Sequence, residues 1–450
     1  MGNTHKIIIF LLVTFLFESS INGQIQQSLK VASESEIDVK TYSGIISERY
    51  ANGSPSLWKT VINGKSNGLW LEWYPNGNVR YRAYWKNSKG HGKWEYFYPN
   101  GQLQSESFYI NDIAQGLFKA YHKNGQLKTD AVFLNGKKHG IELTYDVTGL
   151  LISRKRFENG EQLIDEPTIF QEGIISESNG NEWGITFTPD GYTAYFTRRD
   201  LDNGTKRIYT TSKTKNGWQK PTIASFSTDE DEAAFINNDG SKFYFASYRP
   251  LPNGNTTTKM DMNIWVMDKT NNSWSEPKPL SNVINKSMKE NNAWPANYEA
   301  GPATDANGNL YYWTKGTRSE GTNLYFSELK KNGDYTKPLE LLPPSSHTNY
   351  DTAPQLSPDG NILVFSSDNR NDGYGGSDIY YSLKTDSGWS TPINLGPVIN
   401  SSQSDGFPSF SPEGKYFFFS SNRGDTKDDN GERIWNIYYI ETKYLMIKNN

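Results

Sequence analysis

Apolar residues in this chain come in short runs. LWLEW (69–73), ILVFSS (362–367) and YFFFSS (416–421) are typical, and each is bounded by clusters of Gly, Asn, Asp and Pro. Runs this short, rich in aromatic and β-branched side chains and cut by turn formers, predict β-strands. Sixty-three Phe, Tyr and Trp residues and 39 Gly spread this pattern along the chain, so the expected fold class is all-β. The aromatics supply enough buriable area to offset the entropy of ordering.

Two periods organise the runs. In the first, Gly44, Gly68, Gly92, Gly116 and Gly140 stand 24 residues apart, as do Gly53, Gly77, Gly101, Gly125 and Gly149, and Asn63, Asn87, Asn111, Asn135 and Asn159. Two copies read GLWLEWYPNGNVRYRAYWKN and GKWEYFYPNGQLQSESFYIN. Each holds an aromatic strand, an Asn-Gly turn, a second strand and a second turn. Asn-Gly between alternating runs signals a hairpin, because both turn positions then take positive φ. Five hairpins in series predict an elongated antiparallel sheet over residues 44–162. The G-x-W-x-x-[WF]-Y-P-N-G-x-[LV] pattern resembles the MORN-type repeats of the YwqK-like group. That resemblance implies a fold and no particular activity.

The second period is marked by the turns TPDG (188–191), NNDG (237–240), DANG (305–308), SPDG (357–360) and SPEG (411–414). An aromatic strand follows each turn, then a loop, a third strand and, in four copies, a W-x-x-P or Y-x-x-P step: Trp218–Pro221, Trp274–Pro277, Tyr335–Pro338 and Trp389–Pro392. Four short strands per copy predict a β-propeller blade. The fifth copy lacks its last strand, and a matching stretch, EPTIFQEG (166–173), precedes the first copy. The ring is therefore expected to close by lending its first strand to its last blade. The blades resemble the WD-like repeats of TolB-like envelope propellers, which implies an envelope setting and protein partners. Those propellers usually have six blades. Five are expected over residues 163–445, and the long insertion at 283–298 leaves room for a sixth.

Lys6 followed by the apolar run Ile7–Phe17 reads as a signal peptide spanning residues 1–23, with residues 24–43 as a linker. The expected location is periplasmic or extracellular, soluble and without a lipid anchor. The absence of cysteine removes disulfides, thiolate metal sites and cysteine nucleophiles. A net charge of −4 gives no basic footprint for nucleic acid. No zinc pattern, P-loop, dinucleotide fingerprint or nucleophile elbow is found in the sequence.

Candidate chemistry lies elsewhere. FSSDNRNDGYGGSDIYY (365–381) carries Asp368, Asp372 and Asp378, but not at calcium-loop offsets, and aligns with the connection between second and third strands in the other blades. Nine residues before each turn glycine stand Glu182, Asp231, Glu299, Asp351 and Asp405. At the start of the innermost strands they would ring one mouth of the channel and could hold a cation, Ca²⁺ included, or a basic partner. The second strands end near Arg199, Arg249, Lys315 or Arg318, Arg370 and Arg423, so acid–base pairs that build the blades are the competing expectation. In the repeat sheet, Trp70, Trp94 and Phe118 fall on equivalent sites and define an aromatic face. The functional expectation is a non-catalytic scaffold with no required cofactor, binding envelope proteins or cell-wall glycan. The alternative is a calcium-dependent propeller hydrolase acting on lactones or glycans through the mouth carboxylates.

Overall fold

The computed structural model describes residues 30–447 apart from 178–179, 201–203, 229, 253–260, 272, 288–293, 318–319, 342–348, 387, 429 and 446. The expected signal peptide thus lies outside the described residues. The chain divides into two compact units between Leu163 and Ile164.

The first unit is one sheet of 14 strands, its neighbours following chain order. Val31–Ala32, within the expected linker, adds a parallel strand against Ile45 and Ile46. The two turns of each repeat differ from the sequence expectation. Positive φ at both positions occurs at the second turn: Asn63-Gly64, Asn87-Ser88, Asn111-Asp112, Asn135-Gly136 and Asn159-Gly160. At Pro-Asn-Gly only the glycine is left-handed, as at Gly77 (φ 86°), whose N–H donates to Tyr74 O at 2.9 Å. The fixed φ of Pro75 suits the first corner of a type I turn, and the glycine then takes the bulge position.

These turns lock successive repeats together. Tyr50, Tyr74 and Tyr98 hydroxyls donate to the carbonyls of Trp73, Phe97 and Tyr121 at 2.6, 2.9 and 2.9 Å. Asn52, Asn76, Asn100 and Asn124 side-chain amides donate to the carbonyls of Pro75, Pro99, Lys123 and Val147. The two ladders explain why the period is so strict. A one-residue change in one repeat would break bonds to the next.

The second unit is a propeller of five blades among the described residues. Blade I comprises Glu182–Phe187, Thr193–Arg199, Lys206–Thr214 and Thr222–Ile223; blade II comprises Asp231–Ile236, Lys242–Ser247, Asn263–Asp268 and Lys278–Pro279. Blade III begins at Ala300–Thr304, blade IV at Tyr350–Leu356 and blade V at Asp405–Phe410. Thr168–Ile169 pairs antiparallel with Asn436–Glu441, the third strand of blade V, and so closes the ring. Phe170 then packs against Phe418 (5.0 Å), Phe187 (6.1 Å) and Trp218 (5.9 Å) between blades V and I.

The W-x-x-P tryptophans join blades. Trp274 of blade II donates its indole N–H to Tyr195 of blade I, and Trp389 of blade IV meets Tyr311 of blade III edge to face. Aromatic clusters between neighbouring blades thus form the core of the ring. Among the described residues, no helix is long and apolar enough to cross a membrane.

Candidate active site

The five acids do begin the innermost strands, but all are buried, with exposures of 0–4%. Four face arginines. Glu182 Oε1 lies 2.9 Å from Arg198 Nε, Asp231 Oδ2 2.9 Å from Arg249, and Asp351 Oδ1 2.8 Å from Arg370; Asp405 pairs with Arg423. The guanidinium in each pair also lies over aromatic rings of its blade, such as Arg370 over Tyr380 at 4.9 Å. Four of the five acids are thus paired inside their own blades. Among the described residues, no group of three or more His, Asp or Glu side chains could hold a metal ion.

One expected partner differs. Glu182 meets Arg198 rather than Arg199, because Arg198 stands opposite it in register and alternate residues of a strand face opposite ways. Arg318 lies outside the described residues. Glu299 has Lys286 N–H at 2.9 Å and the Thr314 hydroxyl at 3.4 Å, and no cationic side chain pairs with it among the described residues. Burial, with Asp261 nearby, pushes its carboxyl up to about 8. Burial also raises Glu182, to about 8, against the pull of Arg198. In the 365–381 loop, Asp378 accepts from Tyr374 N and Asp372 from the Tyr380 hydroxyl, so both acids brace the connection.

Two residues after each acid, the inner strand bulges. Gly184, Ala233, Gly301, Ala353 and Phe407 all take φ of 49–63°. The pairing register shifts at the same step in every blade. Hydroxyls of the preceding blade catch three of the freed N–H groups: Ser420 for Gly184, Thr197 for Ala233 and Ser366 for Phe407. Four of these positions carry small residues. Phe407 is the exception, and a bulky side chain held left-handed is a local cost of the kind found at functional sites.

Phe407 lines a cavity of about 600 Å³ built from blades I, II and V. Its ring lies 6.0 Å from that of Trp183 and 5.9 Å from that of Trp435. Arg199, the arginine left out of the acid pairs, stands 5.9 Å over Trp183. Lys206 and Glu232 pair at 2.9 Å in the same cavity. Burial pulls Lys206 down, but Glu232 outweighs it and the ammonium ends above its ordinary value. The Tyr298 hydroxyl, kept protonated by burial, donates to the other Glu232 oxygen at 3.3 Å. Glu432 and Arg433 complete the lining from blade V, with Asn181, Gln403 and Asn422. The Glu432 side chain is exposed and has no cationic partner among the described residues. Sequence reasoning missed this cavity. Its one available signal was Glu232, a second acid directly after Asp231.

On the first unit, Trp70 and Trp94 join through Trp85 at 5.4 and 5.0 Å, and Tyr109 continues the row at 4.6 Å. The indoles are half-buried and, with Glu72, Arg80 and Tyr81, line a groove of about 490 Å³. Phe118 packs with Phe133 at 5.9 Å.

A family model described as a MORN repeat variant matches residues 66–87, 90–111 and 114–135. No curated protein matches. Solved structures similar to the chain include the endo-arabinase of Bacteroides thetaiotaomicron, at 17% identity over 62% of this chain and 98% of that one, with a TM-score of 0.38. A Coprinopsis cinerea α-L-arabinofuranosidase catalytic domain gives 9%, 62%, 99% and 0.39. A glycoside hydrolase gives 8%, 61%, 90% and 0.40. At these identities the likeness is one of fold. Two expectations are corrected here, that the chain is a non-catalytic scaffold and that it is no enzyme: these similar structures are glycosidases, and the cavity places two carboxylates beside an aromatic wall.

Proposed function

We propose that the propeller is a glycoside hydrolase whose active site is the cavity walled by Trp183, Phe407 and Trp435. The observation that carries this reading is the pairing of that wall with Glu232 and Glu432, brought from blades II and V to one cavity. Aromatic faces stack on the apolar faces of sugar rings, and a cavity of this size takes one or two sugar units. Glycosidic bonds are cleaved between two carboxyl groups with different tasks. Glu232, held by Lys206 and Tyr298, is the carboxylate that acts on the anomeric carbon's side. Glu432, exposed and without a cation, is the acid that protonates the leaving oxygen. The five buried acids build blades, so the hydrolytic role moves from Asp231 to its neighbour.

The setting we propose is the bacterial envelope, reached through the apolar run Ile7–Phe17 and in keeping with the TolB-like rhythm of the blades. The groove of Trp70, Trp85 and Trp94 then serves as an accessory sugar contact. The test is reducing-end release from a panel of polysaccharides. E232Q and E432Q should each lower turnover by about 10²-fold or more while sugar still quenches tryptophan fluorescence. Turnover unchanged in both variants, or no release from any glycan, would overturn the assignment.

A further inference from the structure

We propose that the sugar unit bound between Arg199 and the Phe407 and Trp435 rings is a uronate, its carboxylate taken by Arg199. This rests on the glycosidase reading and names its substrate class. The other blade arginines close to this position in the repeat, Arg198, Arg249, Arg370 and Arg423, each face a buried acid of their own blade. Arg199 faces the other way, is exposed, and forms no ion pair with a described carboxylate. Lys206 stands opposite it in register, Glu232 shares the cavity, and the Glu232 oxygens are engaged by Lys206 and Tyr298. Of the three cations lining the cavity, Lys206 pairs with Glu232 and Arg433 with Asp425, which leaves Arg199; Glu432 is the free acid of the proposed catalytic pair, on blade V. The unpaired cation is a guanidinium, whose planar fork matches a carboxylate with two parallel hydrogen bonds. It stands over the buried Trp183 indole, and the half-buried Phe407 and Trp435 rings of the same cavity are left for a sugar ring to stack on, so a ligand filling this corner presents a carboxylate on a pyranose-like frame. A neutral sugar would leave Arg199 without an anionic partner.

Binding separates this inference from the activity it rests on. Oligogalacturonate, oligomannuronate and glucuronoxylan fragments, each beside its carboxyl-reduced form, are titrated calorimetrically into full-length E432Q protein. At least one acid should bind about tenfold or more tighter than its reduced form, and the preference should shrink as salt rises. R199A should bring that acid down to the affinity of its reduced form, and R199K should recover only part of the difference. Equal affinity of acid and reduced forms overturns the inference, as does a preference that survives R199A. Release of neutral sugars by the wild type alongside such equality would leave the glycosidase reading standing alone. Tight, Arg199-dependent uronate binding with no turnover by the wild type would do the reverse. If no glycan binds, both fall.

Discussion

Glu299 shows what one position in a repeated motif does when its partner changes. In blades I, II, IV and V the inner-strand acid faces an arginine; in blade III it has a backbone N–H, a hydroxyl and Asp261 near it. Its pKa of about 8 lies above the ordinary 4.5. Between those values the folded chain holds a proton that the unfolded chain releases, so stability falls as pH rises. The contribution is complete below about pH 4.5 and is lost on approaching pH 8. Gln keeps the shape and cannot ionise. E299Q should therefore lose less thermal stability than wild type between pH 5 and pH 8. Each pKa unit is worth about 1.4 kcal/mol, and each kcal/mol about 2–4 °C in a domain of this size. A difference of several degrees is expected by calorimetry, and parallel pH profiles would refute it.

The elements are tied at their edges by side chains that substitute for backbone partners. After the outer strand of blade II the chain reads VIN (283–285), and after that of blade IV it reads VIN again (398–400). Both asparagines bridge the N–H and carbonyl of an isoleucine in the third strand: Asn285 on Ile264, at 2.9 Å for both bonds, and Asn400 on Ile379, at 2.8 and 2.9 Å. Ser176 and Ser227 accept from Ile437 and Ile208 at the matching places. N400A would leave the buried Ile379 N–H unpaired at a cost of about 1–3 kcal/mol. Thermal unfolding should show the loss, and N400D, which would set a carboxylate oxygen against the Ile379 carbonyl and Asn394 Oδ1 that the amide N–H groups now serve, should not restore it. An N400A variant as stable as wild type would mean that the backbone finds another partner.

At the scale of the molecule, closure is the decisive step. Phe170 lies 7% exposed between blades V and I, directly after the strand contributed from the start of the propeller to its end. F170A should cost about 3–5 kcal/mol. Its mark should be faster amide exchange in Asn436–Glu441, far along the chain, as well as in its own segment. Exchange altered only near residues 164–187 would show that blade V holds without the closing strand.

Short-range chemistry was legible in the sequence. The 24-residue period and the blade turns each depend on residues a few positions apart, although at Pro-Asn-Gly only the glycine, and not both turn residues, is left-handed. The closing strand was legible as well, because one copy lacked a strand and another had one to spare. Placement of the acids at the starts of the inner strands followed from the same alignment. Their side chains' destinations did not, since a choice between Arg198 and Arg199 is a choice of strand face. The bulges were hidden too, for Gly184, Ala233, Gly301, Ala353 and Phe407 share no residue type.

The sequence by itself determined two repeat architectures and their all-β class, because turns and strand alternation are local physics. Only the tertiary structure decided the site. Trp183, Glu232, Phe407 and Glu432 come together because the ring closes and sets blade V beside blade I, and no local pattern encodes that meeting.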